Sequence, residues 1–362
     1  MPVLTVADYE DLARAKVPAS YWGYVSGGSG TERSMVANRA AFDRFALRPR
    51  VLVDVSTIDT SVELLGARLA GPVLVAPTAY HRMMHPEGEL ATARGAAEAG
   101  ALYVTSYFST QPLPDVAAAA GAGARWMQLY WLKDRELFGS VVDGAVAAGF
   151  TALVLTVDTP VVGRRLRDLR NELVLGPELR AANVGPALGN AMRRGEAGRS
   201  AVADAANRAF DASITWDDLA WLRERGGLPV VLKGILTGED AALAVAHGAA
   251  AVIVSNHGGR QLDHAVGGMD ALPEVVEAVA GRVPVLVDGG FRTGTEVLMA
   301  LAAGASAVLV GRPVLWGLAV DGAAGVRGVL DMLHTELAQA MALTGRPTIA
   351  RIDGTALRTF PR

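Results

Sequence analysis

The chain has 362 residues, 51% hydrophobic and 20% charged, and its 34 Lys and Arg against 37 Asp and Glu leave a net charge of −3. So apolar a chain buries a large core, which excludes intrinsic disorder, and the near-neutral balance offers no electrostatic footprint for nucleic acid or an anionic membrane. With no cysteine, thiol catalysis, disulfides, cysteine zinc sites and iron–sulfur clusters are excluded as well.

Residues 1–72 read as an N-terminal extension of helices and a short strand pair. Its first ten residues are mixed with charges and hold no apolar run, so no signal peptide is expected, and no stretch approaches the ~18–20 apolar residues of a membrane span. A cytoplasmic protein is the expectation. From residue 73 one rhythm takes over: short apolar runs at 73–76, 102–105, 126–129, 152–157, 229–232, 251–254, 284–287 and 307–310, separated by Ala-rich helical stretches. Runs that are apolar throughout are what a sheet covered on both faces requires. Helices are predicted at 87–99, 134–148, 240–247 and 296–303, several ending at Gly. Thr215 to Asp218 resembles a capping box, with Asp in place of Glu, opening the helix before the fifth run.

Eight β/α units over about 250 residues predict an α/β fold, a (β/α)8 TIM barrel, rather than an open doubly wound sheet. The barrel is expected over 73–320 and C-terminal helices over 321–362, in a single domain of 1–362. Residues 176–213, rich in Arg, Ala, Gly and Asn, interrupt the rhythm after the fourth strand. They are expected to form a lid-like mobile loop, the alternative being a spacer with no catalytic part.

Barrel active sites lie at the C-terminal strand ends. The runs end, in order, at Pro77-Thr78-Ala79, Ser106, Gln128-Leu129-Tyr130, Thr156 with Asp158, Lys233, Ser255-Asn256-His257, Asp288-Gly289-Gly290 and Gly311-Arg312. One polar, Gly-rich rim of this kind is what a single enzyme site needs. The stretch from Asp288 to Gly294, with Gly311 and Arg312, supplies bare backbone N–H groups, a helix N-terminus and the guanidiniums of Arg292 and Arg312, a set suited to a phosphorylated ligand. His257 is a base near neutral pH, Arg260 can clamp a carboxylate, and Asp158 can orient the imidazole. No second His stands at metal-ligand spacing to His257, and no metal is expected. His247 and His334 read as helical packing or surface residues, His81 and His85 as following the first strand, and His264 as exposed. Lys233 closes an apolar strand, where it is either a Schiff-base lysine or a fixed cation facing a cofactor.

These residues resemble the FMN-dependent 2-hydroxy-acid oxidase and dehydrogenase family, which includes glycolate oxidase, lactate oxidase and mandelate dehydrogenase. The matching stretches are 76–79 with 85–89, 128–130, 156–160 with 163–165, 233–234, 255–263, 288–294 and 311–313, and the likeness covers essentially the whole chain. The run Ser-Asn-His-Gly-Gly-Arg-Gln-Leu-Asp at 255–263 is the most specific of them.

The resemblance implies FMN across the barrel mouth. Its phosphate would be held by Gly290, Arg292, Gly311 and Arg312, and its ribityl chain would lie near Lys233, Ser255 and Asp288. Its ring would rest against Thr78, Ala79, Ser106, Gln128 and Thr156. Lys233 would be the fixed cation at the ring's N1–C2=O edge. Arg260 and Tyr24, with Arg165, would clamp the substrate carboxylate, and Tyr130 would bond the substrate oxygen. His257, backed by Asp158, would take a proton while two electrons pass to the flavin, by either a carbanion or a hydride route. A homotetramer is also implied. Phe108, where glycolate oxidases carry a larger aromatic, and Tyr80-His81-Arg82 depart from the glycolate-oxidase pattern. The 163–171 run looks like that of mandelate and hydroxymandelate oxidases, which points to an aryl (S)-2-hydroxy acid (mandelate or 4-hydroxymandelate) over lactate-like acids. Ala79, where dehydrogenases more often carry Gly, points to O2 as acceptor, with H2O2 as product, over a quinone. The haem domain and the membrane insertion of other family branches are not expected here.

Overall fold

The computed structural model describes residues 2–360 except 172, 174, 177–178 and 192–199. Three helices open the chain: Val6–Lys16, which a Thr5/Asp8 capping box starts, Ala19–Ser26 and Arg33–Ala40. The short strands β1 (Phe45–Leu47), β2 (Val62–Leu64) and β3 (Ala67–Leu69) follow, and β2 and β3 form the expected antiparallel pair.

Eight parallel strands then close into a barrel: β4 (Val73–Val75), β5 (Tyr103–Thr105), β6 (Arg125–Leu129), β7 (Leu153–Thr156), β8 (Val230–Ile235), β9 (Ala251–Val254), β10 (Val285–Asp288) and β11 (Ala307–Val310), which pairs back onto β4. Side chains alternate across each strand. Leu74, Val104, Trp126, Val154, Ile253 and Leu309 fill the barrel interior, while neighbours such as Val75, Tyr103, Met127, Leu155 and Val252 face the surrounding helices. Both faces are therefore covered, which is why the strands read as unbroken apolar runs. Leu64 and Leu69 belong to the interior cluster, so the β2–β3 hairpin plugs the N-terminal mouth. The C-terminal mouth is left for the site.

The boundaries differ instructively from the reading of the sequence. β8 runs to Ile235 and β10 includes Asp288, so Lys233 and Asp288 are strand residues rather than loop residues following a strand. Thr156 pairs in register with Lys233, and the ladder slips a residue around Gly234. The four predicted helices are present as Glu89–Glu98, Arg135–Ala147, Gly238–Ala246 and Gly294–Ala302. The capping box at Thr215 and Asp218 starts a 3-10 turn that leads into the helix Leu219–Gly226.

Much of the 176–213 insertion is packed structure. The helices Pro186–Ala191 and Ala201–Ala209 bracket its middle, and Leu179, Val202, Ala205, Ala206 and Phe210 are buried. Asp211 N–H donates to the Trp131 carbonyl at 3.0 Å, tying the end of the insertion to the rim. A structureless spacer would bury none of these side chains. Residues 177–178 and 192–199 of the expected mobile loop lie outside the described residues. At the C-terminus a long helix, Arg312–Leu343, crosses the expected boundary at 320 and kinks at Asp321–Gly322. It is followed not by further α-helices but by 3-10 turns and β12 (Leu357–Thr359), which pairs antiparallel with β1. Among the described residues no helix is long and apolar enough to cross a membrane.

Candidate active site

A cavity opens at the C-terminal mouth, lined from the strand ends and from the helix Ala19–Ser26, which brings in Tyr24. That helix is pinned to the rim, since Ser29 N–H donates to the Gly259 carbonyl and Gly30 N–H to that of Arg164, each at 2.9 Å.

One end of the cavity is built for an anion. Arg312 donates to the carbonyls of Val25, Gly258 and Gly27 at 3.0, 3.1 and 2.8 Å, and Arg292 donates to that of Phe291 at 2.8 Å. Neither guanidinium has a carboxylate ion-pair partner among the described residues. Burial pushes Arg312 down to about 9, with Arg260 and Arg292 adding to the effect, and burial pushes Arg292 down to about 10. Such groups favour an anionic ligand that restores their solvation. The Gly290 and Gly311 N–H groups donate to no protein acceptor among the described residues. A Cβ at Gly290, where φ is +93°, would stand 2.4 Å from the Asn38 carbonyl oxygen, so only glycine fits. A phosphate of FMN fits this set. The helix Arg312–Leu343, with Gly311 as its N-cap, brings its N-terminus to this end of the cavity. That of Gly294–Ala302 takes no part: Thr293 and Glu296 close a capping box there, Glu296 also accepts from Arg292 N–H, and Glu336 accepts from Gly294 N–H at 2.7 Å. The chain's own carboxylates already fill that end.

In the middle of the cavity Lys233, 4% exposed, donates to Ser255 Oγ at 2.9 Å and pairs with Asp288 at 3.2 Å. An ammonium held by a buried carboxylate is a fixed cation, unlike the free amine of a Schiff-base lysine. Ser255 Oγ also accepts the His257 N–H at 3.0 Å, linking the two neighbouring strand ends. His257, Gly258 and Gly259 all have positive φ, a tight turn that aims the imidazole across the mouth. Its Nδ1 lies 2.9 Å from Asp158 Oδ1. Asp158 approaches so closely because Gly234 has no Cβ, which would sit 2.6 Å from the Cβ of Asp158. Burial pushes the His257 pKa down; Asp158 opposes this and Lys233 reinforces it. Burial works to raise Asp158, but His257, Lys233 and Thr159 outweigh it and leave the carboxyl below its ordinary value. A carboxylate can only accept, so Nδ1 carries the proton and Nε2 is left with its lone pair.

Arg260, Arg165 and Tyr24 converge beyond His257. The guanidinium carbons of Arg260 and Arg165 lie 4.9 and 5.9 Å from the Tyr24 ring centre. Arg260 Nη1 is anchored on the carbonyls of Tyr24 and Gly27, and burial lowers its pKa to about 10. The sequence reading missed Asp168, a buried carboxyl raised by burial against the pull of Arg260 and Arg165. Tyr130 stacks on Phe210 at 4.5 Å and tilts against Phe108 at 5.5 Å, and burial raises its hydroxyl pKa so that it stays an O–H donor.

Thr78, Ala79, Ser106, Phe108, Tyr130, Lys233, His257, Asp288, Gly290, Arg292, Gly311 and Arg312 thus line one cavity with Tyr24, Arg165 and Arg260. Gln128, Thr156, Ser255 and Asp158 do not line it; they stand behind. Gln128 accepts from Ser106 at 3.3 Å and donates to Thr156 at 3.0 Å, while Ser255 and Asp158 hold Lys233 and His257. Val202, Ala206 and Phe210 of the insertion complete the wall. Phe210 was also missed, though the spacing of Val202, Ala206 and Phe210 is an amphipathic helical signal. Of the other histidines, His81 is wholly buried, His247 packs on Trp216, and His334 is a packed helix residue.

The profile of the FMN-dependent dehydrogenase family matches residues 13–359. The chain is 49% identical over 353 residues to an L-lactate oxidase of Nostoc sp., covering 97% of this chain and 96% of that protein. It is 49% identical over 345 residues to a 4-hydroxymandelate oxidase of Amycolatopsis orientalis, covering 95% of each. A crystal structure of a mandelate oxidase with (S)-4-hydroxymandelic acid superposes with a TM-score of 0.94 at 47% identity, over 99% of both chains. Fold, cradle and relatives agree: the chain belongs to the FMN-dependent dehydrogenase family, among its 2-hydroxy-acid oxidases, and is an enzyme that works with FMN.

Proposed function

We propose that the chain oxidises an aryl (S)-2-hydroxy acid of the mandelate or 4-hydroxymandelate type to the 2-oxo acid, with O2 reduced to H2O2. The substrate loses two electrons and two protons, and O2 gains both. FMN, when bound, accepts the electron pair and hands it on; the rest of the chemistry belongs to the chain's side chains.

Arg260, Arg165 and Tyr24 hold the substrate carboxylate, and Tyr130 donates to the substrate oxygen. His257 Nε2, unprotonated and backed by Asp158, takes the proton, and the imidazolium formed is stabilised by the Asp158 carboxylate. Lys233 would place its fixed positive charge against the cofactor ring, where it favours uptake of the electron pair. Arg292, Arg312, Gly290 and Gly311 would hold the FMN phosphate.

The observation that carries the aryl reading is the apolar wall of Phe108, Tyr130, Phe210, Val202 and Ala206 beside the two arginines. Overall identity does not separate the substrate classes, because the lactate and hydroxymandelate relatives stand at 49% alike. A phenyl ring fills such a wall, whereas the methyl of lactate leaves most of it empty. The test is kcat/KM under air for (S)-mandelate, (S)-lactate and glycolate. A preference for mandelate supports the reading, and a preference for lactate or glycolate overturns it. A homotetramer in the cytoplasm completes the proposal, and the mass in solution tests the assembly.

A further inference from the structure

Between the ends of β4 and β5 and the helix Glu89–Glu98 lies a second set of buried polar side chains that the chemistry above does not use. Tyr80 has left-handed backbone, φ +57°, which turns the chain after Ala79 and folds His81 back beneath the strand end. The His81 ring is wholly buried. Its Nε2 lies 2.6 Å from the Thr78 hydroxyl and its Nδ1 2.8 Å from the Thr92 hydroxyl. Its backbone N–H donates to the buried Glu89 carboxylate at 3.1 Å, which also accepts the N–H and the hydroxyl of Thr110. Of these residues only Thr78 also lines the cavity.

A neutral imidazole has one N–H donor and one acceptor nitrogen. Burial lowers the His81 pKa, against the opposing pull of Glu89, and keeps the ring neutral near pH 7. The two threonine hydroxyls therefore take opposite roles, one donating to the ring and the other accepting from it. If Nε2 accepts, Thr78 commits its hydrogen to the ring and shows only lone pairs to the cavity. If Nε2 carries the proton, Thr78 accepts and keeps its O–H for the cavity. In both cases the ring fixes which face of the hydroxyl a ligand meets.

We propose that His81 is a positioning residue: it fixes the rotamer and the hydrogen-bond polarity of Thr78 towards the flavin ring, and so biases the site between oxidised and reduced FMN. The proposal rests on the reading that Thr78 touches that ring.

The experiment is a spectrophotometric redox titration of the FMN-loaded protein, with FMN dissociation constants, for wild type, Thr78→Val, His81→Leu, His81→Gln and the double variant T78V/H81L. Loss of one hydrogen bond predicts a change of about five- to tenfold in the ratio of affinities for oxidised and reduced FMN in T78V and in H81L. Tenfold is about 30 mV for a two-electron couple. His81→Gln, which keeps a donor and an acceptor, stays near wild type, and the double variant matches T78V alone. Should H81L not fold, Thr92→Val takes its place, because it removes the ring's other anchor without touching the cavity, and a severalfold change there supports the proposal. A wild-type ratio in H81L or T92V alongside a shifted T78V overturns the role of His81 and leaves the Thr78 contact standing. An unshifted T78V overturns both. A lowered melting temperature with an unchanged ratio reduces His81 to packing and likewise overturns the proposal.

Discussion

His257 Nδ1 and Asp158 Oδ1 stand 2.9 Å apart although 99 residues separate them in the chain. They rise from the ends of β9 and β7, with β8 between them, and meet over the side-chain-free Gly234. The pairing fixes which imidazole nitrogen faces the cavity. His257→Ala is expected to bind FMN normally and to slow anaerobic flavin reduction by about 10²–10⁴. Asp158→Asn, which leaves the shape intact but removes the charge that stabilises the imidazolium and adds an NH2 donor that can select the wrong tautomer, should lose a similar factor. Stopped-flow reduction rates check both, and a wild-type rate in either variant contradicts the base assignment.

The pH dependence follows from the same pair. His257 acts as a base only when unprotonated, and burial holds its pKa below the ordinary value of 6.5. The kcat/KM of the FMN-loaded enzyme is therefore expected to stay level from pH 7 downwards past 6.5, and to fall tenfold per unit only below the lowered pKa. In Asp158→Asn the upward pull of the carboxylate is gone, so the residual activity should carry its acid limb at still lower pH. A limb above 6.5 in the wild type contradicts the account.

The arginines of the anion cradle make a prediction for folding and another for FMN binding. Without FMN, Arg312 is a desolvated cation facing Arg292 and Arg260. Arg312→Leu relieves that repulsion but leaves the carbonyls of Val25, Gly27 and Gly258 without their donor, so the melting temperature of the apoprotein should fall. The same substitution removes charge-assisted bonds of about 1.5–3 kcal/mol, which raises the FMN dissociation constant by about 10–150-fold. Thermal scans with and without FMN, together with flavin-fluorescence titration, measure both effects.

Phe210 separates substrate classes. Its ring stacks on Tyr130 at 4.5 Å and closes the outer wall of the cavity. Phe210→Ala is expected to cut kcat/KM for (S)-mandelate by about 10-fold or more, through lost apolar contact of ~1–3 kcal/mol, with a smaller effect on (S)-lactate. Equal losses on both substrates would place Phe210 outside the substrate-ring site.

Much of this architecture is written in local pattern. Parallel strands buried on both faces appear as unbroken apolar runs, so all eight barrel strands were visible before any contact was known. A boundary drawn at the first charged residue fails where a strand carries its charge inward, and Lys233 and Asp288 both stand inside their strands. The pairing of β1 with β12 left no trace, because each strand has three residues and the partners lie at opposite ends of the chain. At Gly294 the signal was present and pointed the other way. Thr293 and Glu296, three apart, form a capping box, so the chain satisfies that helix end itself. Phe210 was hidden by the polarity of the segment around it, and only folding shows that its helix leans over the mouth.

The most direct test of the central claim is an anaerobic spectral titration of the FMN-loaded protein with (S)-mandelate, followed by admission of air. The account predicts that the oxidised-flavin absorbance bleaches on addition of mandelate and returns with O2, one H2O2 appearing per turnover. A flavin that stays oxidised with mandelate but bleaches with (S)-lactate or glycolate contradicts the aryl pocket, and one that bleaches but stays reduced in air contradicts the oxidase.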